Sequence, residues 1–256
     1  MTSHSAFPLL TIPSVLPLLP VALPDTHGFI TAVSYSSPAA RPETLLVKAV
    51  FDLSRFDERL FVACDIPSPT HLNKAVRKRR AEYLASRMVV RNALSRMGIE
   101  AAILSNDADR APVWPVGISG SLSHSHQSIA VLLSRRENRL LLGVDCETIL
   151  RAETAEQMQS VIVTPEEKQR LLESGLPFAT ALTLAFSIKE SLYKALFPLL
   201  RQAMDFRAAE ITALFPATGQ VQLRLTDSFA SDFPAGRAFT GQVELQAEQV
   251  VSWVID

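Results

Sequence analysis

Two long stretches with helical spacing, each accompanied by short strand-like runs, constrain the fold of this chain most. The first spans about residues 73–97, and Gly98 is placed where a helix ends in the left-handed conformation. The second runs over residues 178–197, and we expect Pro198 to end it. The apolar stripe expected of the first helix consists of Tyr83, Val90, Leu94 and Met97. Each helix is therefore expected to bury one face in a hydrophobic core.

Strand-like runs lie on both sides of these helices. Residues 128–133 and 140–146 flank a polar turn and predict a β-hairpin. Residues 211–256 alternate over several short runs, as antiparallel strands with one wet face do. Between them, residues 152–174 read as two helical pieces, the second capped by Thr164. Each half reads as a helix with short strands, an arrangement consistent with an internal duplication.

The N-terminal segment predicts an extended arm. Residues 6–23 are apolar, but no Lys or Arg precedes Arg41, so the positive region of a signal peptide is missing. Five prolines lie between residues 8 and 24, four of them within this apolar stretch, and no unbroken apolar span of about 18 residues exists. We therefore expect a soluble protein, with residues 1–26 as a Pro-rich extension.

Composition excludes several classes of protein. Only 9 of 256 residues are Gly, and neither GxGxxG nor GxxxxGK[ST] occurs, so Gly-rich phosphate loops are not expected. Two Cys are too few for a disulfide scaffold, and we expect free thiols. A net charge of −1 argues against a uniformly basic nucleic-acid binder.

Within that small net charge, basic and acidic residues are strongly segregated along the chain. Residues 74–91 hold seven Lys or Arg against one Glu, a local charge of +6, whereas residues 145–173 hold seven acids against three bases, or −4. Arg80, Arg87 and Arg91 fall on one helical stripe that suits phosphate groups. The alternative is a solvated helix face.

Asp145 and Glu147 form the first candidate site. They end an apolar strand and, two residues apart, share one face of it. Two carboxylates on one face repel each other unless a cation lies between them, and a hard divalent ion prefers such oxygen ligands. An ordinary solvated strand end remains the alternative.

Glu190 and Lys194 are neighbours at i, i+4 on the second long helix and, taken alone, suit an exposed ion pair. Residues 121–126, Ser-Leu-Ser-His-Ser-His, can donate hydrogen bonds to phosphate. Two His at i, i+2 also leave a zinc site open, with Asp145 and Glu147 as further ligands.

Taken together in chain order, these motifs resemble the 4′-phosphopantetheinyl transferases of the surfactin-synthetase-activating class. The motifs are the basic run from Arg77, Arg110-Ala-Pro-Val-Trp-Pro, Gly120-Ser-Leu-Ser-His, Gly143-Val-Asp-Cys-Glu and Phe186-Ser-Ile-Lys-Glu-Ser. Within that class the chain is most similar to the branch that serves siderophore synthesis, with similarity from about residue 71 to residue 198.

The resemblance implies a magnesium-dependent enzyme that moves phosphopantetheine from coenzyme A to a serine of an apo acyl, peptidyl or aryl carrier domain, releasing adenosine 3′,5′-bisphosphate. It implies an α+β fold of two similar halves related by a pseudo-twofold axis, with the ligand cleft between them. We assign residues 27–137 and 138–256 to these halves. A cytoplasmic monomer without nucleic-acid partners or an integral membrane span is expected.

The resemblance also implies a role for particular residues. The metal-binding acids are Asp145, Glu147 and Glu190. Lys194 matches a lysine that contacts phosphate, and Lys189 is expected to stabilise the leaving bisphosphate. Either Glu190 or Glu167 would accept the serine proton.

The coenzyme contacts implied by the resemblance lie in the first half. Ser123 and His124 match a pair that touches the coenzyme phosphates, and Arg110 matches a cation near the nucleotide. The 3′-phosphate contact falls to one of Arg77, Arg79 and Arg80, and the sequence leaves that choice open.

Two other functions stay open at this point. A metal-dependent hydrolase of nucleotides or pyrophosphate would use the same acids and His124, and it would form product without a carrier protein. A non-catalytic module would dock its basic helix on an acidic partner or on nucleic acid, with steep salt dependence and no need for the three acids.

Overall fold

The structure is a computed structural model that describes residues 15–18, 26, 28–100 and 102–256. The strands are β1 (Val15–Leu18), β2 (Ile30–Pro38), β3 (Leu45–Phe51), β4 (Ser105–Asn106), β5 (Pro112–Val113), β6 (Ile118–Ser125), β7 (Ser128–Arg135), β8 (Leu142–Thr148), β9 (Ala209–Phe215), β10 (Gln220–Leu225), β11 (Ala238–Leu245) and β12 (Gln249–Ile255). The helices are α1 (Arg59–Ala63), α2 (Arg77–Arg96), α3 (Ala152–Ile162), α4 (Pro165–Glu173) and α5 (Phe178–Leu200). The predicted α+β class is confirmed. Most of the predicted N-terminal extension lies outside the described residues, but β1 within it pairs with β2.

The first sheet has the antiparallel order β1-β2-β3-β7-β6 and carries α2 on one face. The predicted helix is confirmed, but it begins at Arg77 rather than near residue 73, because residues 70–72 form a short 3-10 helix and Val76 is extended. Val90 and Leu94 are fully buried, as expected. Gly98 has a φ of 79°, the left-handed conformation predicted for it.

The second sheet has the antiparallel order β8-β12-β11-β10-β9 and packs against α5. The predicted split of residues 152–174 into two helices is confirmed. Thr164 caps α4 through a capping box, in which its hydroxyl accepts from Glu167 N at 3.2 Å and Glu167 Oε2 accepts from Thr164 N at 2.9 Å. The predicted strands after α5 are also confirmed.

The end predicted for α5 is wrong by three residues. Pro198 lies inside the helix, which continues to Leu200 and ends at Arg201 with a φ of 50°. Proline removes one backbone donor, so the carbonyl of Lys194 loses its usual i+4 partner, yet the last turn persists. Leu196, which is fully buried, and Leu200, which is partly buried, pack in the hydrophobic core between α5 and the second sheet.

The predicted hairpin of residues 128–133 with 140–146 is also wrong. β7 pairs with β6 through a two-residue turn at His126 and Gln127, whereas β8 pairs with the C-terminal strand β12. The 3-10 turn at residues 136–138 takes the chain from one sheet to the other. As a result β6 and β8, each at the edge of its own sheet, lie side by side.

Gly143 allows β8 to lie directly against α5. A Cβ atom at this position would lie 1.8 Å from the main-chain oxygen of Ser191, a distance that no side chain can tolerate. The glycine of the Gly-Val-Asp-Cys-Glu motif is therefore required by close backbone approach. It brings the carboxylates of β8 next to the polar face of α5.

Candidate active site

Asp145 is the most enclosed of the three acids predicted to bind the metal, with only 1% of its surface exposed. Its Oδ1 accepts hydrogen bonds from Ser123 Oγ at 2.8 Å and from Lys194 Nζ at 2.6 Å. Its Oδ2 accepts from Ser187 Oγ at 2.8 Å. The side chain is thus held by β6 on one side and by α5 on the other.

Glu147 lies on the same face of β8, as the alternation predicted. Its Oε2 accepts from Ser125 Oγ at 3.0 Å, so consecutive acids on β8 face consecutive serines on β6. Burial, and then the negative charge of Asp145, raises the pKa of Glu147 to about 7. A carboxylate in this environment is stabilised by a nearby cation.

Glu190 and Lys194 project from one stripe of α5. Burial raises the pKa of Glu190; Lys194 opposes that shift, and Asp145 adds to it. Lys194 does not form the exposed pair with Glu190 that the spacing suggested, because its Nζ lies 2.6 Å from Asp145 Oδ1 and 2.9 Å from Ser123 Oγ. The lysine thus links the two halves of the chain at the acid cluster.

The three carboxylates are oxygen ligands of the type that a hard divalent cation prefers. Three carboxylates with a single lysine leave an excess of negative charge, and oxygen ligands are what Mg²⁺ prefers. Within the described residues, however, no group of three or more His, Cys, Asp and Glu side chains is already close enough to hold a metal ion. The carboxylates of the predicted ligands Asp145, Glu147 and Glu190 interact electrostatically, but they do not converge on one position for a metal ion.

The position of His124 does not favour the zinc site that the sequence left open. Its Nε2 lies 3.2 Å from an Arg79 nitrogen, and its Nδ1 lies 3.7 Å from Glu82 Oε2, so the ring faces α2. Burial, followed by the positive charges of Arg79 and Lys194, lowers the pKa of His124 to about 4. The ring is therefore neutral near pH 7 and accepts a hydrogen bond from Arg79.

A cavity of about 590 Å³ opens beside His124. Its cationic lining consists of Arg79, Arg87 and Arg110, with Asp107 as the acid on its wall. Arg87 is stacked on Tyr83, with its guanidinium carbon 4.1 Å from the ring centroid. Such a lining is complementary to phosphate groups.

The structure separates the three arginines between which the sequence left the choice open. Arg79 lines the cavity. Arg77 donates to the carbonyls of Ser54 and Phe56, and Arg80 forms an ion pair with Glu58. Among the three, Arg79 is the side chain placed beside His124.

A second cavity of about 500 Å³ lies along α5 and shares Asp107, Arg110, Pro112 and Leu122 with the first. The two cavities are therefore lobes of one cleft. The second lobe adds the aromatic rings of Trp114, Tyr193 and Phe197, together with Lys194. Sequence reasoning did not assign these rings to the site, although Trp114 lies within a motif that it singled out.

Glu167 and Lys189 are brought together, but away from the cleft. Lys189 Nζ lies 2.7 Å from Glu167 Oε1, and the two side chains are 3% and 0% exposed. Lys189 also donates to the carbonyls of Ile162 and Phe206, and Glu167 Oε1 also accepts from Ile211 N. A catalytic role for Glu167 and a coenzyme contact for Lys189 remain predictions without a supporting contact.

Comparison with known proteins defines the class. The family model for the 4′-phosphopantetheinyl transferase N-terminal domain matches residues 68–134, and the model for the 4′-phosphopantetheinyl transferase superfamily matches residues 141–244. The chain belongs to the 4′-phosphopantetheinyl transferase superfamily and is a transferase of this type. Phosphopantetheinylation of carrier proteins is therefore its reaction class.

Individual relatives agree with this assignment. The chain is 40% identical to enterobactin synthase component D of Salmonella typhi over 181 residues, which cover 71% of this chain and 73% of that protein. It is 40% identical over 143 residues to the protein of the same name from Escherichia coli O157:H7, covering 55% and 67%. It is 32% identical over 157 residues to the 4′-phosphopantetheinyl transferase Svp of Streptomyces mobaraensis, covering 60% and 63%. In the described part of the chain, no helix is long and apolar enough to cross a membrane.

Proposed function

We propose that this chain transfers the 4′-phosphopantetheine group of coenzyme A to a serine of an apo carrier protein and releases adenosine 3′,5′-bisphosphate. The observation that carries the proposal is the continuity between the cation-lined lobe and the acid cluster. Lys194 lies at their junction, because it contacts Asp145 and also lines the second lobe. A ligand with a phosphorylated nucleoside at one end and a pyrophosphate in the middle matches this distribution of charge.

Residues of the first half would bind the coenzyme. Arg79 and Arg110 line the first lobe and can donate to phosphate oxygens, and the neutral His124 has one N–H, on Nδ1, to donate. We propose Arg79 as the contact for the 3′-phosphate because Arg77 and Arg80 are occupied by Phe56 and Glu58. Ser123 is held between Lys194 and Asp145, next to the expected position of the pyrophosphate.

Asp145, Glu147 and Glu190 would hold Mg²⁺. When bound, Mg²⁺ neutralises charge on the phosphoryl oxygens during transfer. Lys194 can donate to an oxygen of the departing bisphosphate from its place at the edge of the second lobe. We propose Glu190 rather than Glu167 as the acceptor of the serine proton, since Glu190 is only partly buried whereas Glu167 is fully enclosed.

The names of the relatives support a proposal for the cellular setting. Enterobactin synthase component D is the name of several of them, so we propose a role in siderophore assembly. We further propose a monomer in the cytoplasm. The buried thiols of Cys64 and Cys146 are both free, which suits a reducing compartment.

Mass spectrometry of an apo carrier domain tests the reaction. After incubation with the enzyme, coenzyme A and Mg²⁺, the carrier is expected to gain the mass of phosphopantetheine, and a chelator should prevent the gain. Omission of the carrier should leave coenzyme A intact. Cleavage of coenzyme A without the carrier would instead favour the hydrolase, and no mass gain across several carriers would contradict the proposal.

Arg79→Gln tests the assignment of the 3′-phosphate contact. Loss of one charge-assisted hydrogen bond costs about 1.5–3 kcal/mol, so the KM for coenzyme A should rise about tenfold or more. Lys78→Gln is the matched control, because Lys78 also lies near Glu82 but does not line the cavity. With dephospho-coenzyme A the difference between the Arg79 variant and wild type should shrink. Equal KM values for both variants with coenzyme A would contradict the assignment.

A further inference from the structure

Three fully buried serines form a chain that ends at Asp145. Ser187 and Ser191 lie one turn apart on α5, and Ser252 lies on β12, the strand next to β8. Ser191 Oγ lies 2.8 Å from Ser252 Oγ, which lies 2.8 Å from Ser187 Oγ. Ser187 Oγ lies 2.8 Å from Asp145 Oδ2. All three serines are 0% exposed, so water does not compete for these hydroxyls.

The carboxylate fixes the direction of the donors. An ionised Asp145 only accepts, so the single proton of Ser187 points to Asp145 Oδ2. Ser252 must then donate to Ser187, and Ser191 donates to Ser252 Oγ or to its carbonyl, 3.0 Å away. Ser187 makes the contact with Asp145 directly, and Ser252 and Ser191 add only the modest polarisation of about 10–30% per bond that aligned hydrogen bonds give one another.

The hydrogen bonds of these serines differ from those that hydroxyl side chains usually form inside a helix. Ser and Thr inside helices commonly donate to the carbonyl four residues earlier. Thr183, one turn before Ser187, does so, since its hydroxyl donates to Ala179 O at 2.6 Å. Ser187 and Ser191 instead direct their hydroxyls towards the second sheet.

We propose that Ser187 is a positioning residue that holds the Asp145 carboxylate in one orientation for the transfer site. Oδ1 already accepts from Ser123 and Lys194, which leaves the contact with Ser187 as the one that fixes Oδ2. One lone pair of Oδ2 stays free for a cation. The proposal rests on the proposed function and adds a residue that touches neither coenzyme nor carrier.

Ser187→Ala is the test, with Ser191→Ala as its matched control. Both remove one buried hydroxyl from the same face of α5, but only the first removes a contact with Asp145. Removing a group that orients a metal ligand typically costs about 10–100-fold in metal affinity or activity. We therefore expect the Mg²⁺ concentration for half-maximal transfer to rise at least tenfold for Ser187→Ala and less than twofold for Ser191→Ala.

Two readouts separate this proposal from the proposed function. Mn²⁺ binding to the coenzyme-free enzyme, followed by electron paramagnetic resonance, should weaken for Ser187→Ala alone. Crystal structures should show Asp145 in more than one orientation in that variant and in a single orientation in Ser191→Ala. An unchanged orientation of Asp145 in Ser187→Ala would overturn the positioning role, whether or not wild-type protein transfers phosphopantetheine. A wild-type protein that fails to modify any carrier would overturn the proposed function instead.

Discussion

Asp145→Asn is expected to lower the rate of phosphopantetheine transfer by about 10³-fold, because a metal-assisted site loses several kcal/mol of charge stabilisation. Asparagine is close in size to aspartate and can still accept from one serine, so the protein should fold. Its neutral side chain leaves Lys194 without the ion pair at 2.6 Å and reduces the negative charge of the acid cluster. Both changes act on the site at which the phosphate charge would be bound under the proposed function.

The measurement is the initial rate of carrier modification at saturating coenzyme A, with thermal unfolding recorded for each variant. Glu190→Gln should also lose most of its activity. Glu153→Gln, which changes an exposed acid of α3, should transfer at the wild-type rate. Wild-type rates in both the Asp145 and the Glu190 variants would show that the acid cluster is not the transfer site.

Local periodicity predicted the geometry of the acid pair correctly. The alternation of a strand places Asp145 and Glu147 on one face, and the structure shows them opposite Ser123 and Ser125 of β6. Local periodicity could not predict which strand pairs with β8. β8 pairs with β12, about a hundred residues later, whereas sequence reasoning joined it to the preceding strand. Strand partners depend on which surfaces the whole chain buries, and local pattern does not contain that information.

The choice among neighbouring cations also required tertiary structure. Arg77, Arg79 and Arg80 follow one another on α2, where successive side chains point about 100° apart. Arg77 therefore donates to the carbonyl of Phe56, and Arg80 forms an ion pair with Glu58. Arg79 donates to His124. Sequence alone supplies the charge of this segment but not the direction in which each guanidinium points.

The same rotation separates Lys189 from its neighbour Glu190. The carboxyl of Glu190 lies within electrostatic range of Asp145, while Lys189 turns into the core and pairs with Glu167. Burial lowers the pKa of Lys189, and the carboxylate of Glu167 opposes that shift. Together with the carbonyls of Ile162 and Phe206, this pair ties α5 to α3, α4 and the segment before β9.

Lys189→Met is therefore expected to lower the free energy of unfolding by about 3–5 kcal/mol, the usual cost of leaving one buried charge unpaired. The methionine fills a similar volume, but Glu167 keeps a carboxylate with 0% exposure and no countercharge. Urea unfolding followed by circular dichroism measures the loss. The double variant Glu167→Gln, Lys189→Met removes both charges and should recover part of it.

Thr164→Ala provides the comparison that isolates the ion pair. It removes the hydroxyl cap on α4 but leaves Lys189 and Glu167 paired, so its loss should be about 1 kcal/mol. If Glu167 instead accepted the serine proton, Glu167→Gln would abolish transfer in a protein of nearly wild-type stability. The pattern expected here is the opposite: Lys189→Met and Glu167→Gln should each lose much stability, and transfer should follow the folded fraction. Lys189 and Glu167 would then stabilise the position of α5, and Glu190 and Lys194 on its other face would take part in the reaction.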